Sequence, residues 1–146
     1  MFHAKEMDSR IFDILYIRAQ NQLNTTNVEL NKIISAATNG HIVIFKSYVQ
    51  EPIGYMIFAK VNSCTLNMIK MNFGEIAYPY EWRSGKIIFI VDLVLSRQQI
   101  TFARRQLVTH LKSLRIAAFF KRERLSVIYK GLIIKKYPMQ NIGSAK

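Results

Sequence analysis

The chain has 146 residues, half of them apolar, with 21 lysines and arginines against nine acidic residues and a formal net charge of +12. That length fits one domain, and that apolar share is enough to build a core rather than a disordered tail. One cysteine, Cys64, excludes an intrachain disulfide framework and suits a reducing cytoplasm. So large a positive charge speeds encounter with anionic partners and opposes cationic ones, without choosing among nucleic acid, membrane surface and acidic protein.

No repeat, low-complexity tract or internal Gly/Ser-rich linker divides the chain, so positions 1–139 read as one domain and 140–146 as a small polar tail that frays. No apolar signal core follows the N-terminal Met1-Phe2-His3-Ala4-Lys5-Glu6, which argues for cytoplasmic residence. The longest apolar run, Ile87 to Val91 continued by Leu93 to Leu95, is far short of the roughly 20 residues that span a bilayer.

A first helix is predicted from Asp8 to Gln20, with Ile11, Ile14, Leu15 and Arg18 on one side. Arg18 on that apolar side reads as a solvated or snorkelling arginine. A second helix opens on the capping box Thr26 and Glu29, carries Leu30, Ile33, Ile34 and Ala37 as its apolar stripe, and stops at Asn39-Gly40. His41 to Val49 and Ile53 to Val61 form a hairpin across Gln50-Glu51-Pro52. Ser63 to Met71 reads as a short helix with Leu66, Met68 and Ile69 turned inward, and Phe73 to Arg83 as an irregular aromatic stretch.

Ser84-Gly85 precedes the strongest strand, Lys86 to Leu95, apolar on both faces and therefore central. A long helix follows from Ser96 to Leu114, capped by Ser96 with Gln99, its stripe made of Ile100, Ala103, Leu107, Leu111 and Leu114. Ile116 to Phe120 and Leu125 to Tyr129 close the domain as strands. Strand, helix, strand makes a crossover unit, so the whole reads as a three-layer α/β or α+β domain with a mixed sheet flanked by helices.

Three segments carry a family likeness: Glu51-Pro52-Ile53-Gly54-Tyr55 at the hairpin, Glu81-Trp82-Arg83-Ser84-Gly85 before the central strand, and Phe89-Ile90-Val91-Asp92 within it. Over roughly Leu23 to Ile133 the chain resembles the RTX toxin-activating lysine acyltransferases, whose fold is related to that of the GNAT acetyltransferases. The resemblance implies transfer of a fatty acyl group from acyl carrier protein to a lysine amine of a secreted protein or protoxin, in the cytoplasm. It implies self-association as a homodimer, for which Leu125 to Tyr129 offers an edge strand. It places a catalytic aspartate at Asp92. Asn24 stands where the family has its catalytic histidine, and Leu93-Val94-Leu95-Ser96 replaces the family's Trp and Pro-rich loop. None of His3, His41 and His110 lies at that position.

The residues support this chemistry to different degrees. A carboxylate at Asp92, inside an apolar strand, must find donors or a cation; it serves either as a general base or as a buried aspartate that holds a loop or pairs with an arginine. Asn24 can donate to an oxyanion or hold a carbonyl, and it equally suits a turn. Tyr55, Trp82, Ser84 and Gly85 are candidates for an acyl or substrate pocket, with sheet packing as the alternative for Tyr55 and Trp82. Cys64 reads as a buried structural thiol. Arg104, Arg105, Lys112, Arg115, Lys121 and Arg122 form a basic face that could dock an acidic acyl carrier protein, continued by Lys130, Lys135 and Lys136. No metal-ligand spacing or cofactor motif appears; the acyl-loaded carrier would be a substrate. Nucleic acid is the least favoured partner, because no helix-turn-helix, zinc-ligand or RNP-like pattern accompanies the charge. A catalytically impaired relative acting as a binding or adaptor protein is the alternative that Asn24 raises.

Overall fold

The structure is a computed structural model that describes residues 4–121 and 124–138. It has the mixed α/β class expected from the sequence. Four helices accompany six strands: α1 (Ala4–Gln20), α2 (Asn27–Asn39), β1 (Ile42–Lys46), β2 (Pro52–Val61), α3 (Ser63–Met71), β3 (Ile87–Leu95), α4 (Ile100–Ser113), β4 (Ile116–Lys121), β5 (Arg124–Tyr129) and β6 (Leu132–Pro138). The strands lie in one mixed sheet in sequence order. Hairpins pair antiparallel, while β3 and β4, joined through α4, run parallel with Phe89 opposite Ala118.

The chain forms two compact units, residues 1–57 with 92–107 and residues 58–91 with 108–146. In the first, α1 packs against α2 and β1. Ile14 and Ile17 of α1, Ile33, Ala36 and Ala37 of α2, and Phe45 of β1 are buried there. The sequence signals for α2 act as expected: Thr26 caps it by accepting from the Glu29 N–H at 3.3 Å, and the Gly40 N–H bonds back to Ala37 O. Its inward stripe is narrower than expected, however. Ile34 is exposed, because Ile33, Ala36 and Ala37 already fill the buried face.

Strand β1 ends three residues short of the expected Val49, while Asp92 lies within β3 as expected. After Lys46 the Ser47 N–H turns to Glu51 O and the Gln50 N–H to Ser47 O, each at 2.9 Å, which leaves Tyr48 and Val49 exposed in the turn. Helix α4 starts at Ile100 rather than at Ser96. Ser96 gives its N–H to Ile53 O at 2.7 Å and Arg97 gives its N–H to Asn21 Oδ1 at 3.2 Å. These two bonds tie the segment after β3 to β2 and to the end of α1 before the helix begins. Ala103 and Leu107 of the predicted stripe are buried, and Ile100 half-buried.

In the second unit Ile69, Phe89, Ala117, Ala118, Leu125 and Ile128 are buried. Helix α3 has the predicted bounds, capped by Asn62 Oδ1, which accepts from the Thr65 N–H at 2.7 Å. Ile69 turns inward as expected, but Met68 is exposed. So is Cys64, which corrects the expectation of a buried thiol: the buried face of this helix runs through Thr65 and Ile69. Coverage of β3 is partial; Phe89 and Ile90 are buried, and Leu93 of the first unit is exposed.

Strand β6 is the element missed in the sequence. A turn at Lys130 and Gly131, both with positive φ (51° and 90°), returns the chain along β5, pairing Tyr129 with Leu132 and Leu125 with Tyr137. Leu125 to Tyr129 is therefore an internal strand, and the homodimer expected through that edge loses its surface. The expected tail 140–146 lies outside the described residues.

Candidate functional site

The first unit gathers four chemically active groups around one guanidinium. Helix α1 ends because Gln22 takes a left-handed φ of 58°, after which the Leu23 N–H bonds back to Arg18 O at 2.9 Å. This reversal lays residues 23–25 alongside the last turn of α1. Arg18, in that turn, is buried. Its Nε donates to Thr25 Oγ1 at 2.9 Å and its Nη2 to Asn24 O at 2.5 Å. Its Nη1 donates to Tyr55 Oη at 3.0 Å and reaches Asp92 Oδ2 at 3.4 Å. The Tyr55 hydroxyl in turn donates to the same Asp92 oxygen at 2.7 Å.

Each member is placed by its element. Tyr55 is buried in β2 opposite Ile44 of β1. Asp92 is near the end of β3, and its side chain keeps 24% of its exposure. Asn21 locks the corner between them: its Nδ2 donates to Ile17 O at 2.8 Å while its Oδ1 accepts from the Arg97 N–H. The end of α1 and the segment after β3 are thus tied by a second, independent bridge.

Burial opposes the charge on Arg18, but its bond to Tyr55 and the nearby carboxylate outweigh this and raise its pKa further above the ordinary arginine value. The Tyr55 phenol is also pushed up, first by burial, then by the charge and hydrogen bond of Asp92; Arg18 partly offsets both. Tyr55 is consequently a neutral donor throughout the physiological range. Both donors converge on Oδ2. Among the described residues none donates to Oδ1, which is left open to a donor from outside the cluster.

The structure thus brings three of the sequence-derived elements together, Asp92, Tyr55 and Asn24, the last through its backbone carbonyl. The Asn24 side chain is exposed. The reading of Arg18 as a solvated or snorkelling side chain is corrected: it is the hub. Two oddities of the sequence, an arginine on an apolar helix face and an aspartate in an apolar strand, were each other's answer. Buried charges occur in pairs, so each could have been used to find the other.

The remaining candidates belong to the second unit or the surface. Trp82 is buried, closing a 3-10 turn (Pro79–Trp82). In that turn the buried Glu81 carboxylate accepts from the Ala77 and Tyr78 N–H groups at 2.7 and 3.1 Å. Ser84 and Gly85 both give their N–H to Lys60 O, at 2.7 and 3.1 Å, and the Asn62 side chain donates to Ser84 O at 3.0 Å. Gly85 lies so close to β2 that a Cβ would stand 2.4 Å from Asn62 N. The Ser-Gly pair thus clamps the chain to the β2 end. Arg104 and Arg105 in the first unit, and Lys112, Arg115 and Lys121 in the second, are all exposed; Arg122 lies outside the described residues.

No protein-family model matches the chain, and no curated protein matches it at significant similarity. Among the described residues no helix is long and apolar enough to cross a membrane, and no group of three or more His, Cys, Asp or Glu side chains could hold a metal ion.

Proposed function

We propose that the chain is a cytoplasmic acyltransferase of the toxin-activating type, moving a fatty acyl group from acyl carrier protein to a lysine amine of a secreted protein. The reading starts from the resemblance of the hairpin, Trp-x-Ser-Gly and Asp92 segments. One observation carries it: Asp92 is held through a single oxygen by Tyr55 and Arg18, at 2.7 and 3.4 Å, while its other oxygen has no donor among the described residues and the side chain is partly exposed. A carboxylate fixed on one side and open on the other has the form a general base requires. In the step proposed, the amine nitrogen attacks the thioester carbonyl, a C–N bond forms and the C–S bond breaks. Asp92 Oδ1 takes the ammonium proton of the tetrahedral intermediate, and that proton leaves with the carrier thiolate as a thiol.

Mass-spectrometric discharge of fatty-acyl carrier protein tests this directly. Asp92→Asn should slow transfer by about 10²- to 10⁴-fold, the usual contribution of a positioned base, with carrier binding retained. Asn24→His should accelerate it. Equal discharge by wild type and Asp92→Asn would sink the proposal.

A second reading has its own observation. The Asn24 side chain is exposed and the described cluster contains no imidazole, so the proton relay expected of the family lacks its central member. On this reading the chain binds the acyl carrier or the acceptor as a non-catalytic adaptor. Carrier binding without discharge, in wild type and Asn24→His alike, is its signature.

A further inference from the structure

The second unit has a concave site of a different character, independent of acyl transfer. Where α4 ends and β5 turns into β6, Lys112, Ser113, Leu114, Arg115, Tyr129 and Lys130 line an open cleft of about 360 Å3. Three of the six are cations. Past Asp92, Glu123 is the only acidic residue in the sequence. Among the described residues the side chains of Lys112 and Arg115 have no ion pair or hydrogen bond, and the Lys130 ammonium lies 5.5 Å from the centre of the Tyr129 ring.

The backbone holds these cations together. The Lys130 N–H donates to Arg115 O at 3.2 Å, fixing the two residues side by side. Gly131 follows with φ of 90°, and a Cβ there would come within 2.9 Å of Lys112 Cγ. The absent side chain is what lets the Lys112 stem lie against the turn. The carbonyl end of α4 contributes an opposing partial charge of about half an elementary unit. Three full positive charges exceed it several-fold.

Cations clustered in a concavity without a carboxylate partner among the described residues are the chemistry of anion capture, and arginine with lysines suits a phosphate better than a single carboxylate. Leu114 and the Tyr129 ring add an apolar wall that inorganic phosphate cannot use. We propose that this cleft binds a phosphate monoester, its phosphate among Lys112, Arg115 and Lys130 and its organic body against Leu114 and Tyr129. The same phosphate could come from a free nucleotide or from a phospholipid headgroup.

Titration of the full chain at physiological salt, followed by amide chemical shifts, tests this with AMP, glycerol 3-phosphate, inorganic phosphate and adenosine as probes. We expect saturable binding of a monoester at least threefold tighter than inorganic phosphate, and none of adenosine. Tightest binding of AMP identifies a nucleotide site, and tightest binding of glycerol 3-phosphate a headgroup site. The double variant Lys112→Gln/Arg115→Gln should weaken binding at least tenfold, and Lys130→Gln by several-fold. Arg104→Gln/Arg105→Gln should leave it within twofold. All these side chains are exposed, so unchanged amide spectra elsewhere will show that each variant is folded. Non-saturable shifts, equal losses in the Arg104/Arg105 variant, or no preference for a monoester would each overturn the assignment.

Discussion

The Tyr55 hydroxyl donates to Asp92 Oδ2 at 2.7 Å while accepting from Arg18 Nη1 at 3.0 Å. One phenol therefore bridges a buried cation and a carboxylate, in contact with both.

Tyr55→Phe keeps the ring in place and deletes only the bridge, leaving donor and acceptor short of a partner. The expected cost is about 1–3 kcal/mol of stability, read from urea melts. The pH dependence has a defined sign. The folded phenol has its pKa raised above the ordinary value of 10.0, so the folded chain holds this proton where the unfolded chain has lost it. The contribution is fully present below about pH 10 and is lost as pH rises beyond it. Wild type should lose stability more steeply than Tyr55→Phe above that pH; parallel curves would contradict the assignment.

Arg18 and Asp92 should be strongly coupled. Removing a cation from a buried pair costs about 3–5 kcal/mol, and the partial exposure of Asp92 favours the lower end for Arg18→Met. Asp92→Asn should cost less, because Arg18 keeps Thr25, Asn24 and Tyr55 as partners. In the double-mutant cycle the two changes should fall short of additivity by at least about 1 kcal/mol. Arg18→Lys should rescue little, because one ammonium cannot reach four acceptors spread around a planar fork.

Gly85→Ala forces a Cβ against the backbone of Val61 and Asn62. The strand end must move, at about 1–3 kcal/mol as for overpacking generally. Hydrogen exchange should report where: the Ser84 and Gly85 amides, bonded to Lys60 O, should lose protection before the β4–β5 pair does. Uniform loss across the second unit would show a different origin.

Local signals in the sequence were readable wherever one residue and its near neighbours decide the outcome. Thr26 caps α2, and Ser63 to Met71 is α3 to the residue. The class of the fold and the crossover from β3 to β4 were legible for the same reason: periodicity changes from one segment to the next. What failed was set by distant partners. Helix α4 begins late, after Ser96 and Arg97 have bonded to the distant Ile53 and Asn21. Strand β6 was lost because its lysines read as part of a basic surface, although Lys130-Gly131 marks a turn. Of the site, the sequence points to Asp92, Tyr55 and Asn24, but helical spacing alone reads Arg18, the residue that joins them, as solvated. Its partners lie 37 and 74 residues away, beyond the reach of helical spacing.

Those separations also set an order of assembly. Arg18 meets Thr25 only seven residues along, Tyr55 after 37 and Asp92 after 74. Short closures cost less chain entropy than long ones and form sooner. The unit that holds the site is discontinuous, resuming at Asp92 after the whole of residues 58–91 has been made. On the ribosome the arginine and the 24–25 loop are therefore made long before the carboxylate, and the last group to reach the site is the one proposed to do its chemistry.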